Sequence, residues 1–79
     1  MKERIVGEVT TRNKPHAVRI AESGSYTYVG YATVGSSESA EVWQIRRINN
    51  TGSGFTIEWA DGDTNFDNNW SQRGSLSYS

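Results

Sequence analysis

Oxygen-bearing side chains alternate along one short segment of the chain, as in the first half of a calcium-binding loop. The residues are Asp61, Asp63, Asn65 and Asp67. An EF-type loop also needs glycine at its sixth position and a bidentate glutamate at its twelfth, where this sequence has Phe66 and Gln72. Asp-Gly after a strand is an ordinary turn, because Asx side chains hydrogen-bond to their own backbone. We therefore interpret the segment as a turn and predict no metal site.

The residue types of the chain also argue against catalysis. His16 is the only histidine, and cysteine is absent. Ser/His and Cys/His nucleophiles, thiolate zinc sites and multi-histidine metal sites all draw on these residues. His16 follows Pro15 at the start of a predicted strand, where a surface or edge position is the simpler interpretation. We predict no catalytic residues, no enzymatic activity and no cofactor.

The nine aromatic residues allow two interpretations. Tyr26 and Tyr28 could form a stacking platform for single-stranded nucleic acid or carbohydrate, as on small β-barrels. However, a chain with a single leucine must build its core largely from rings, and we predict Trp43, Phe55 and Trp59 in that core. A net charge of −1 gives no cationic excess for phosphate, so nucleic acid is not the expected partner.

Composition points to an all-β fold. Isoleucine, valine, threonine and aromatic residues carry the apolar content, and these types fit a pleated sheet better than a helix. With 79 residues, the chain is predicted to be a single β domain spanning 1–79, a small antiparallel β-barrel or sandwich of about six strands. We find neither an apolar stretch long enough to cross a membrane nor the apolar core of a signal peptide, so no membrane partner is expected.

Alternation of apolar and polar residues places the predicted strands. They lie at 4–9, 16–21, 26–32, 40–48, 55–60 and 75–79. The segment 40–48 is predicted to pair with 55–60, so that Trp43 and Ile45 face the same core as Ile57 and Trp59. A helix over 40–48 stays an alternative, since apolar residues recur there at intervals of three.

Two details concern how aromatic rings are accommodated. Gly30 shares a face with Tyr26 and Tyr28, which predicts either a bulge or room for a ring from the next strand. Phe66 and Trp70 lie four residues apart in a polar loop, and one helical turn would bring them together to plug an end of the barrel.

Three stretches carry a resemblance to a known family. They are VWQIRRI at 42–48, IEWADGDTNFDNNW at 57–70 and RGSLSYS at 73–79, with YVG at 28–30 upstream. Over about 26–79 the chain resembles a family of small, virion-associated proteins of tailed bacteriophages. The resemblance implies a phage origin and a place in capsid decoration, the head–tail region or tail-fibre attachment, and brings no catalytic residues.

Together these observations predict a non-enzymatic structural or adaptor component of a bacteriophage virion. It would be made in the host cytoplasm and act by docking to other virion proteins, as a homo-oligomer or repeated subunit. Tyrosine and arginine anchor interfaces more often than lysine or glutamate. The interface candidates are therefore Tyr26, Tyr28, Tyr31, Arg46 and Arg47. The alternative is a small β-barrel module that binds single-stranded nucleic acid or carbohydrate.

Overall fold

The computed structural model describes residues 16–79, which form four antiparallel strands in one open sheet. The strands are β1 (Ala17–Ser23), β2 (Tyr26–Ala32), β3 (Gln44–Asn50) and β4 (Phe55–Trp59), and they lie side by side in chain order. A 3₁₀ helix follows at Trp70–Ser75. Within the described residues no helix is long and apolar enough to cross a membrane. The predicted β character is confirmed, while the described sheet is open and four-stranded.

The strand boundaries follow the sequence pattern with two exceptions. β2 has the predicted bounds, and over 40–48 the predicted strand is confirmed from Gln44 onward, which excludes the alternative helix. The chain bends at 40–41, so β3 starts later than predicted. The predicted strand at 75–79 is reduced to one bridge between Ala60 and Tyr78. The predicted strand at 4–9 lies outside the described residues.

The two faces of the sheet differ in what covers them. We call the covered side the inner face. The 3₁₀ helix and the C-terminal segment, residues 76–79, pack on it. The buried core consists of Tyr28, Ala32, Trp43, Ile45, Ala60 and Trp70. The opposite side, the outer face, carries the alternate residues of each strand, among them Ile20 of β1 and Ile57 of β4. Both are exposed.

Gly30 makes the inner core possible. A β-carbon at this position would lie 2.6 Å from Trp70 Cε3 and 3.2 Å from Trp43 Cε3. The two indole rings lie 6.0 Å apart, centroid to centroid, at a tilt of 39°. The predicted room for a ring is confirmed. The rings come from the 3₁₀ helix and from the residue before β3.

The predicted assignment of core residues is wrong for β4. The register pairs Arg47 with Glu58, so the face that carries Ile45 continues across β4 through Glu58. The aromatic and aliphatic residues of β4 then point to the outer face. Phe55 is exposed rather than core, and Ile57 and Trp59 lie on the opposite face from Ile45.

Phe66 does not join Trp70 as predicted. The 3₁₀ helix begins at Trp70, so no helical turn connects the two residues. Phe66 is exposed and stacks on His16, with ring centroids 5.9 Å apart and an interplanar angle of 13°. His16 is partly buried and lies beside this ring and the ring of Tyr31.

Candidate protein interaction surface

The outer face presents large apolar side chains to solvent. Ile20 is 68% exposed, Phe55 71% and Ile57 57%, and Val18 is also exposed. The register sets Ile20 and Ile57 in two neighbouring cross-strand rows. One row runs Ile20–Val29–Arg46–Trp59, and the next runs Glu22–Thr27–Ile48–Ile57. Adjacent side chains on one face of a sheet contact each other. The apolar residues thus form one continuous patch, the kind of surface that marks an interaction site.

Arg46 lies in the middle of this patch and is held between two rings. Its guanidinium carbon is 4.9 Å from the centroid of Tyr31 and 4.6 Å from that of Trp59. Stacking of this kind fixes the plane of the guanidinium. Its Nε is buried without a hydrogen-bond partner among the described residues. The patch therefore combines an apolar surface with one ordered cation.

Arg47, on the inner face, has a different environment. Its guanidinium is 4.2 Å from the Tyr26 ring centroid and 4.5 Å from that of Tyr78, and Nε donates to Glu58 Oε1 at 2.7 Å. Burial lowers the pKa of Arg47, but the hydrogen bond and charge of Glu58 outweigh it, so the pKa is raised. The ion pair with Glu58 ties β3 to β4, and the stacking on Tyr78 ties β3 to the C-terminal segment.

Tyr78 completes the inner cluster. Its hydroxyl donates to the carbonyl of Arg73 at 2.8 Å, and its ring lies 5.7 Å from that of Tyr28. Burial, with a smaller contribution from Tyr28, raises the pKa of Tyr78 to about 12. The neutral phenol therefore belongs to the folded structure.

The five interface candidates divide between the two faces. Tyr31 and Arg46 are in contact on the outer face, whereas Tyr26, Tyr28 and Arg47 belong to the inner face. Tyr28 is part of the buried core.

The exposed aliphatic residues of β1 were not predicted from the sequence. Val18 and Ile20 alternate with Ala17, Arg19 and Ala21, and such a pattern ordinarily places the larger residues in the core. The one available signal was that β1 and β2 each carry an alanine that suits a face covered by large rings. Ala17 pairs with Ala32.

A cleft of about 390 Å³ lies on the inner side, between the β1–β2 hairpin and the 3₁₀ helix. Its polar and aromatic lining includes Tyr26, Tyr28, Ser71 and Arg73. The Arg73 guanidinium stacks 4.7 Å from the Trp70 ring centroid and donates to the Trp70 carbonyl at 3.2 Å. An ordered cation beside tyrosine rings can bind a small polar or anionic group.

The segment 61–67 forms a turn, as predicted. Asp61 and Gly62 have φ angles of 59° and 72°, and the Asp63 N–H donates to the Ala60 carbonyl at 3.3 Å. Positive φ at both central residues is typical of a type I′ turn, in which Asp-Gly is a favoured pair. Asp63 also accepts a hydrogen bond from the Asn65 N–H at 3.0 Å. In residues 16–79 no three His, Asp or Glu side chains cluster as a metal site would require.

Comparison with known proteins identifies no family for this chain. The chain matches no family model, no curated protein and no solved structure.

Proposed function

We propose that this protein is a non-enzymatic structural or adaptor subunit of a bacteriophage particle that works by protein–protein docking. The phage context is supported by the resemblance of 26–79 to small tailed-phage proteins. The docking role is supported by the exposed outer face of the sheet.

A single observation carries the docking role. Ile20, Phe55 and Ile57 are each more than half exposed, and all three lie on one side of one sheet. Burying such a side chain fully is worth roughly 1.5–3 kcal/mol, so a partner that covers the face is strongly favoured. Isolated apolar residues on a surface are ordinary, whereas a continuous patch of this kind is typical of an interface.

The middle of the face supplies an anchor with specificity. Tyrosine, tryptophan and arginine dominate the residues that contribute most to binding energy. Tyr31, Arg46 and Trp59 are already stacked on one another, so little side-chain entropy is lost when a partner binds. The outer face thus has both an apolar area and a preorganised centre.

Cysteine labelling in purified phage particles tests this role, because the chain has no cysteine of its own. Ile57→Cys on the outer face and the control Ser53→Cys in the exposed β3–β4 turn report accessibility at two sites. We expect Ile57→Cys to be labelled in the free protein and protected in the particle, with Ser53→Cys labelled more readily there. Absence of the protein from particles, or equal labelling of both variants, contradicts the proposal.

The inner cleft favours a second candidate function, binding of single-stranded nucleic acid or carbohydrate. It brings Tyr26, Tyr28 and Arg73 to one opening. Titration with a fluorescein-labelled oligonucleotide at low salt, and separately with oligosaccharides, tests this alternative. Saturable binding that is lost in Arg73→Gln would support it, and a steep salt dependence would identify phosphate as the ligand group.

A further inference from the structure

We infer that the occupant of the outer face is a second copy of this chain, packed sheet to sheet so that Arg46 of each copy meets Glu22 of the other. This inference rests on the docking role proposed above and names the partner. It is carried by the charges of the face and by the fixed position of the Arg46 guanidinium.

The charges on the outer face are balanced within a single copy. Of the side chains that β1–β4 direct to this face, Glu22 and Arg46 are the two charged ones. An acidic partner would match Arg46 and bury Glu22 against like charge, and a basic partner would do the reverse. An apolar partner would bury both without a match, at a substantial desolvation cost. A second copy supplies one carboxylate and one guanidinium in return.

The positions of the two residues suit a twofold arrangement. Glu22 is paired with Thr27, and Arg46 is paired with Val29, so the midpoint between Glu22 and Arg46 falls on β2. A twofold axis that lies between the two sheets and passes over this midpoint can exchange the two positions. Symmetric dimers use one patch on both copies, so this exchange forms two equivalent ion pairs.

Arg46 is prepared for such a contact. Its guanidinium is fixed between the Tyr31 and Trp59 rings. Its Nε is buried, so the hydrogen bonds to a partner would come from the terminal Nη groups. A carboxylate that approaches a stacked guanidinium forms charge-assisted hydrogen bonds without first having to order it. The exposed Glu22 carboxylate of a second copy provides that acceptor.

The area of the face is small for a dimer interface. Four strands about 4.8 Å apart, with about 20 Å of ordered strand, give a flat area of roughly 400 Å² per copy. Two copies cover about 800 Å² before the relief of the side chains is counted, below the about 1,000 Å² of a specific interface, so we expect a weak dimer. Two sheets packed in this way form a sandwich whose inner layers are about 10 Å apart.

Charge exchange tests the pairing in the full-length chain. Glu22→Arg leaves a face with two cations, and Arg46→Glu leaves a face with two anions. In sedimentation velocity we expect the wild type to dimerise and each variant alone to dimerise at least about tenfold more weakly. An equimolar mixture of the two variants should recover the dimer, since both ion pairs can form between unlike copies. Glu41→Arg, an exposed change outside the strands, is the matched control and should dimerise as the wild type does.

The outcomes separate this inference from the docking role. A wild type that is monomeric at high micromolar concentration overturns the inference, and so does a dimer that the charge changes leave intact. If the chain is monomeric but Ile57→Cys is protected in particles, the face docks on a different virion protein and the docking role stands. If the chain dimerises but is absent from particles, the phage role fails and the pairing stands. Melting curves of each variant confirm that loss of the dimer is not loss of the fold.

Discussion

The Trp70 ring lies against the backbone of Gly30, so closely that a β-carbon there would stand 2.6 Å from Cε3 and 2.8 Å from Cζ3 of the indole. This contact joins the 3₁₀ helix to the middle of β2. Trp43 Cε3 would lie 3.2 Å from the same β-carbon. The inner core therefore depends on one position of the sheet having no side chain.

Gly30→Ala should destabilise the protein by about 1–3 kcal/mol, the usual cost of adding a methyl group to a filled core. The atoms it meets belong to a rigid ring, which cannot move aside as a flexible side chain would. Gly54→Ala is the matched control, because a β-carbon there meets nothing within 4 Å. Urea denaturation of both variants measures the difference. Equal midpoints for the two would contradict the packing of Trp70 on Gly30.

Strand positions could be predicted from the sequence, but the assignment of faces could not. The alternation in 55–59 shows that Phe55, Ile57 and Trp59 share a face, without showing which one. That choice depends on the register between β3 and β4, where Arg47 pairs with Glu58. The opposite charges of these two residues indicate this pairing. The prediction instead followed the large apolar residues of β4, which ordinarily face the core.

The candidate site was predictable only in part, for a related reason. Tyr31 and Arg46 were identified by residue type, and the structure brings them together. Ile20 was missed because large apolar residues ordinarily face the core. Here Trp43 and Trp70 fill the inner core from outside the strands. The sheet beneath them therefore presents small residues such as Gly30 and Ala32.

Trp43, just before β3, and Trp59, at the end of β4, should differ in their contributions to the free energy of unfolding. Trp43 is fully buried, and its indole N–H donates to the Ser37 carbonyl at 2.9 Å. Trp43→Ala should cost about 3–5 kcal/mol, the range for a buried large aromatic residue. Trp59→Ala should cost less, since Trp59 is half-buried on the outer face against Arg46. Chemical denaturation of both variants ranks them. A larger loss for Trp59→Ala would restore the predicted placement of Trp59 in the core.

Two ion pairs among the described residues should couple with different strengths. The Arg47 and Glu58 side chains are 18% and 24% exposed, whereas those of Arg19 and Glu38 are 41% and 51% exposed. Exposed pairs contribute at most about 0.5 kcal/mol in many cases, because water screens them. We expect a double-mutant cycle to give a coupling free energy above about 1 kcal/mol for Arg47–Glu58 and below about 0.5 kcal/mol for Arg19–Glu38. Equal coupling in the two cycles would show that partial burial of Arg47 adds nothing.

Stability should fall at high pH because of Tyr78. Its pKa is about 12 in the folded protein against 10.0 for a solvent-exposed tyrosine, since burial disfavours the anion. The folded state therefore holds the phenolic proton more tightly than the unfolded state does. This contribution to the free energy of unfolding is complete below about pH 10 and is lost as the pH rises toward 12.

Tyr78→Phe lacks the titrating group, so its free energy of unfolding should fall less over this range than that of the wild type. The variant also loses the hydrogen bond to Arg73, which lowers its stability at neutral pH without affecting the slope. Urea denaturation of both proteins at intervals from pH 8 to pH 12 gives the two slopes, and parallel slopes would remove Tyr78 as the cause.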